Sequence, residues 1–204
     1  MPKIRGAMIV YAVRFVRETY GAAAHERILK GLAPQHWGTM LRPVREASWE
    51  PVEDLVGYME TARELLAPGD PAFFRSLGAF SGLLERESAG LEPMVADPST
   101  AVRMAPTTWR SFYDQGHVEV RVDGPLDARA RISGFPASEA LCERRVGAWA
   151  TLLSSPGLAA SAEELVCARN GSPFCEVRVT WTPAAARGGG SLRSGPETGP
   201  ASGT

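Results

Sequence analysis

Residues 163–181 read Glu-Glu-Leu-Val-Cys-Ala-Arg-Asn-Gly-Ser-Pro-Phe-Cys-Glu-Val-Arg-Val-Thr-Trp. Glu163 to Ala168 has strand character, Asn170-Gly171-Ser172-Pro173 has turn chemistry, and Cys175 to Trp181 alternates polar with apolar, the period of a half-buried strand. Asn-Gly between two such runs is a strong hairpin signal. Upstream, His117-Val-Glu-Val-Arg-Val-Asp123 alternates in the same way, Gly124-Pro125 turns the chain, and Ala128 to Ile132 alternates again. Between the two hairpins, Ser138 caps a predicted helix from Glu139 to Leu153. Residues 116–182 therefore read as β-β-α-β-β.

Residues 5–115 read as mainly helical. From Arg5 to Tyr20, Met8, Ala12, Phe15, Val16 and Tyr20 recur at helical spacing, and Gly21 stops the helix. A short helix comes next, from Ala22 to Leu32. Glu50-Pro51 starts a third, carrying Leu55, Tyr58, Met59, Ala62 and Leu66 inward. Pro68-Gly69-Asp70-Pro71 is a turn whose Asp can cap a fourth helix, Pro71 to Glu87, with Phe74, Leu77, Phe80, Leu83 and Leu84 apolar. The fold class is α+β: a helical N-terminal half packed on a ββαββ C-terminal half, one domain over 1–182. Residues 183–204, rich in Gly, Pro, Ser and Ala, read as a disordered tail, because they cannot bury enough apolar surface to offset their ordering entropy.

Charge and hydropathy set limits on function. The 204 residues carry 22 Lys+Arg against 23 Asp+Glu, and no basic run tracks a phosphate backbone, so nucleic-acid binding is not expected. No apolar stretch approaches the roughly 20 residues of a membrane span. The run Ala7 to Val13 is broken by Arg14 and leads to no cleavage site, which points to a cytoplasmic protein. Three cysteines, Cys142, Cys167 and Cys175, are an odd number in a chain without a secretory signal, and argue against a disulfide framework.

Motifs for catalysis are absent. His25, His36 and His117 have no partner at i+4, and the chain lacks a nucleophile elbow, a His-Glu-x-x-His helix and a phosphate-cradling loop. The triple glycine at 188–190 lies in the tail. No acid, base or nucleophile set stands out, so an enzyme is not expected. The cysteines are more informative. Cys167 and Cys175 flank the predicted turn, Glu164 could curl back through a bulge, and Cys142 would start the preceding helix, whose N-terminus would favour a thiolate. Three thiolates and a carboxylate suit a closed tetrahedral zinc site, and the alternative is three small core residues.

The stretch Trp109 to Trp181, with Cys142-x4-Gly147, Glu164-x2-Cys167, Gly171-x3-Cys175 and the closing Val177-Arg-Val-Thr-Trp181, resembles the 4-vinyl reductase domain, found also in the sensory part of phenol-responsive transcription activators. The resemblance implies a structural zinc held by Cys142, Glu164, Cys167 and Cys175. Gly6-Ala-Met-Ile-Val-Tyr-Ala-Val-Arg-Phe-Val-Arg-Glu-Thr-Tyr-Gly21 and His25-Glu-Arg-Ile-Leu29 look like the opening of haem nitric-oxide/oxygen-binding (H-NOX) domains. Those share a superfamily with the 4-vinyl reductase domain and with subunits of the Golgi transport-particle tether. Residues 5–181 as a whole, including Trp109-Arg-x-Phe-Tyr-Asp-x-Gly116, are most similar to a myxobacterial paralogous family of unknown function in that superfamily.

Departures from H-NOX matter. Such a domain needs a proximal His on the helix before its hairpin and a Tyr-x-Ser-x-Arg motif for the haem propionates. Gly90 to Ala105 contains no His, and Tyr-x-Ser-x-Arg occurs nowhere, which points away from haem. The DNA-binding and ATPase parts of the activators are also absent. The superfamily fold implies an apolar pocket for a small hydrophobic ligand, with Phe74, Leu77, Phe80, Trp109, Phe112, Tyr113 and Trp149 as candidate lining, and simple core as the plainer reading of each. The expected function is a sensory module signalling through a protein partner. The alternative is a ligand-free assembly module, and a homodimer is compatible with both.

Overall fold

A short ribbon opens the chain: β1 (Lys3–Arg5) pairs antiparallel with β2 (Trp49–Pro51). The computed structural model describes residues 1–88, 98–155 and 157–183. Around the ribbon pack α1 (Gly6–Tyr20), α2 (Ala22–Gly31), the one-turn α3 (Trp37–Met40) and α4 (Val52–Leu66), followed by α5 (Phe73–Ser88), α6 (Pro98–Arg103) and α7 (Ala105–Phe112). The second half runs β3 (His117–Gly124), β4 (Asp127–Ser133), α8 (Glu139–Leu152), β5 (Leu158–Val166) and β6 (Phe174–Pro183). The four later strands form one antiparallel sheet in the order β3-β4-β6-β5. The fold is α+β, as the sequence implies. The predicted tail lies, beyond Pro183, outside the described residues, as do 90–97 of the stretch where a proximal His would fall.

Local signals explain most boundaries. Gly21, at φ +88°, ends α1 in a conformation that side chains avoid. The Asp70 carboxylate accepts from the Ala72 amide at 2.8 Å just before α5. Ser138 Oγ accepts from the Leu141 amide and caps α8 as expected. Two expected core positions differ: Leu83 is exposed on the solvent side of α5, and Tyr20, the last residue of α1, is left partly open at the helix end while its ring meets Phe15 and Phe73. The Asn-Gly signal also resolves differently. Asn170 closes a 3-10 turn, Ala168–Asn170, and Gly171 alone takes positive φ, so this is not a two-residue hairpin. The strand stops at Val166 because Cys167 and Ala168 turn inward.

The sheet separates its faces by period two. Ala128, Ala130, Ile132, Val177, Val179 and Trp181 are buried. The outward residues form ion pairs across strands: Arg129 with Asp123, Arg131 with Glu176, and Arg178 with Asp127.

The helical half and the sheet half meet where α5 crosses α8. A Cβ placed on Gly78 would sit 1.9 Å from the Arg144 carbonyl oxygen, and one on Gly147 would sit 2.0 Å from that of Arg75. Gly82, one turn on from Gly78, faces Ala148 in the same way. The backbones therefore approach more closely than any side chain allows. In a free helix Gly→Ala gains about 0.5–1 kcal/mol. Here the added methyl meets backbone, so Gly78→Ala and Gly147→Ala are each expected to destabilise the protein by about 3 kcal/mol or more in urea unfolding. Gly38→Ala, where nothing lies within 4 Å, is expected to be neutral or better.

Candidate functional site

Helix α8 carries both chemically notable regions. At its N-terminal end Cys142 meets Cys167 and Cys175, with Sγ–Sγ separations of 3.7 Å to Cys167 and 4.0 Å to Cys175. All three thiols are free and buried. Glu164 completes the group, and one ligand atom from each of the four residues lies within 4.8 Å of the others. The register explains how Glu164 joins Cys167. Glu164 pairs with Val177 but Val166 pairs with Glu176, so the strand slips by one residue at Leu165, which is exposed. Residues i and i+3 of a regular strand point to opposite faces; the bulge brings them to the same one.

The cluster is built for negative charge. The Ala168 amide donates to Cys175 Sγ at 3.3 Å, and Arg169 Nε donates to Cys167 Sγ at 3.2 Å. The Cys175 thiol is pulled down to about 6 by a hydrogen bond from Cys142, whose own thiol is pushed up as the donor in that bond. Cys142 sits a full turn into α8, its amide already bonded to the Ser138 carbonyl. Glu164 Oε1 is buried and has no hydrogen-bond partner among the described residues.

The second region is a narrow cleft between α5, α6, α7 and α8 with about 50 Å³ of free space. Trp109, Phe112, Tyr113 and Trp149, four of the candidate lining residues, face it. Trp109 and Tyr113 stack at 3.9 Å, and Phe135 meets both edge-on. Phe74, Leu77 and Phe80 do not line it. They belong to the helical core, where Phe74 packs on Phe73 and Phe80 on Phe15, because their side of α5 turns toward α1. Sequence reasoning misses three charged lining residues, Glu85, Arg144 and Arg145. Arg144, 2% exposed, donates to Glu85 Oε1 at 2.7 Å across the α5–α8 crossing. Burial opposes its charge, and Glu85 and Tyr113 outweigh that penalty. The one available signal is two consecutive arginines in a helix whose residues are mostly buried.

The histidines are engaged elsewhere. His25 Nδ1 bonds to the Tyr58 hydroxyl, His36 to Asp54 and His117 to Ser133.

No protein-family model matches the sequence, and no curated protein matches it. Solved structures match the fold. The Fe(II) unliganded H-NOX protein from K. algicida superposes with a TM-score of 0.67 at 9% identity, covering 89% of this chain and 98% of that one. The Fe(II)NO form of an H-NOX protein from S. oneidensis gives 0.65 at 14%, covering 87% and 99%. The Fe(II)CO form of the Shewanella oneidensis SO2144 H-NOX domain gives 0.68 at 13%, covering 87% and 98%. The fold is H-NOX-like. That these neighbours are described with iron and its gas ligands counts against the expectation of a haem-less chain, although likeness at such identity speaks for the fold alone. No helix among the described residues is long and apolar enough to cross a membrane.

Burial, with the Arg17 charge, lowers the His25 pKa, so the fold favours the neutral ring. The unfolded chain then binds more protons, and this stability is present above about pH 6.5 and lost as pH falls below it. Melting temperature is expected to fall from pH 7.5 to 5.5, and His25→Gln, which keeps a partner for Tyr58 but does not titrate, is expected to remove that part of the fall.

Proposed function

We propose that this chain is a non-enzymatic sensory module that holds a small hydrophobic molecule in the α5–α8 cleft and reports its occupancy to a protein partner. The observation that carries the reading is the placement of the aromatic cleft at the crossing of the two halves, where an occupant would bias how they pack. A cleft with a few convergent polar groups in an apolar lining is the usual form of a small-molecule site. The size is limiting. Free space of 50 Å³ holds about four waters, or roughly 120 Å³ of liquid-equivalent volume, the bulk of one ring or a short chain.

Haem does not fit these residues. No imidazole lines the cleft, His25, His36 and His117 bond elsewhere, and the free space of about 50 Å³ is far too small for a macrocycle. The molecule sensed is therefore read as organic.

Zinc does fit the cysteine group. Bonds of about 2.3 Å at tetrahedral angles hold sulfurs about 3.8 Å apart, against the 3.7 and 4.0 Å found here. The unpartnered Glu164 Oε1 supplies the fourth ligand atom. With four protein ligands and no open position, the ion would be structural, clamping the β5–β6 hairpin onto α8. This agrees with the resemblance to the 4-vinyl reductase domain.

A ligand-free assembly module is the second reading. Exposed Trp37, Leu41 and Leu65 in the helical half favour it.

Protein purified without chelator is expected to contain about one zinc per chain by elemental analysis, with any apolar companion visible by native mass spectrometry. Cys167→Ser is expected to lose the metal and several kcal/mol of stability, since the ion contributes folding energy directly. Unchanged metal content and melting temperature in that variant would remove zinc from the reading. A metal-bearing protein that takes up no organic molecule and forms a stable oligomer would favour assembly.

A further inference from the structure

The reading of the cleft as a ligand site leaves one group unexplained, and an inference drawn from that group rests on that reading. Arg145 is 3% exposed, yet its Nε and Nη1 have no hydrogen-bond partner, and no carboxylate lies within ion-pair distance among the described residues. It lines the cleft, with its guanidinium carbon 5.5 Å from the centre of the Trp109 ring. Its neighbour Arg144 is neutralised by Glu85. Among the described residues the cleft thus holds two guanidinium groups and one carboxylate, an excess of one positive charge. An uncompensated buried charge is among the most costly features a fold can retain.

The cysteine group is not its partner by contact. Arg145 attracts the thiolates of Cys142 and Cys175 through space, but it donates to no sulfur; Arg169 and the Ala168 amide do that. The free Nε and Nη1 are two donors on different edges of the planar guanidinium, each able to donate to an anionic oxygen. Val102, Trp149 and Leu153 add largely apolar surface to the lining of the same cleft.

We propose that the cleft takes a small organic monoanion, a carboxylate on a single ring or short chain, with Arg145 as its pairing residue. The apolar body lies among the aromatic side chains and the carboxylate neutralises the buried guanidinium.

The test titrates the zinc-containing full chain with matched acids and amides, benzoate against benzamide and hexanoate against hexanamide, by quenching of tryptophan fluorescence and by calorimetry. The acids are expected to bind at least tenfold more tightly than the amides of the same shape. Arg145→Met is expected to weaken the acids at least tenfold and leave the amides unchanged, while Arg145→Lys keeps part of the preference. Without ligand, Arg145→Met is expected to retain its zinc and its melting temperature, since a neutral side chain of similar length replaces an unpaired buried charge. Loss of zinc in that variant would make Arg145 the counter-ion of the cysteine group and overturn the proposal. Amides binding as tightly as acids would overturn it while leaving the cleft as a ligand site. Binding of none of the four would overturn both.

Discussion

The close passage of α5 over α8 is the constraint on which the rest of the molecule depends. Gly78 and Gly82 on one helix and Gly147 on the other let backbone touch backbone, and the buried Glu85–Arg144 pair locks the same crossing. A buried ion pair contributes little net stability, because desolvation nearly cancels the attraction. Its value here is positional: each charge tolerates burial only with the other in place, so the two helices have one acceptable register. Close packing also leaves no soft layer between the halves.

From that crossing, α8 places everything of chemical interest. Cys142 lies on its first turns, Arg144 and Arg145 in its middle, Gly147 at the crossing and Trp149 beyond it. The sulfur group thus lies near the start of one rigid rod and the aromatic cleft along the rest of it, with Arg145 felt electrostatically at Cys142 and Cys175 while it lines the cleft. Trp181 ties the far end, its indole donating to the Leu153 carbonyl at 3.0 Å. The helix is held at both ends and in the middle.

The elements with strong period are legible in the sequence. The alternation in 117–123 and 175–181, the Ser138 cap and the apolar spacing in 52–66 each appear where periodicity puts them. The cysteine group is legible because four ligand-type residues fall on adjacent elements, and the bulge that joins Glu164 to Cys167 can be anticipated from their spacing. Other features carry no local signal. The β1–β2 ribbon pairs three-residue segments more than forty positions apart. The apolar character of Phe74, Leu77 and Phe80 suggests the cleft, but it does not distinguish one side of a buried helix from another. Arg144 and Arg145 escape a reading of the sequence because arginine is rarely buried, and because α8 is enclosed on several sides rather than along one stripe. Pairing with a residue some sixty positions away makes burial possible for Arg144.

The slip at Leu165 has a consequence for how this chain tolerates change in length. Side-chain parity along β5 is reset at that point, so the residues before it answer to the sheet and those after it answer to the sulfur group. Deleting this one exposed residue would leave every buried side chain chemically intact. It would also leave Glu164 and Cys167 two positions apart in an unbroken ladder, and so still on one face of the strand. At this position a residue can be lost without moving either the sheet register or the sulfur group, because the ladder already passes over it.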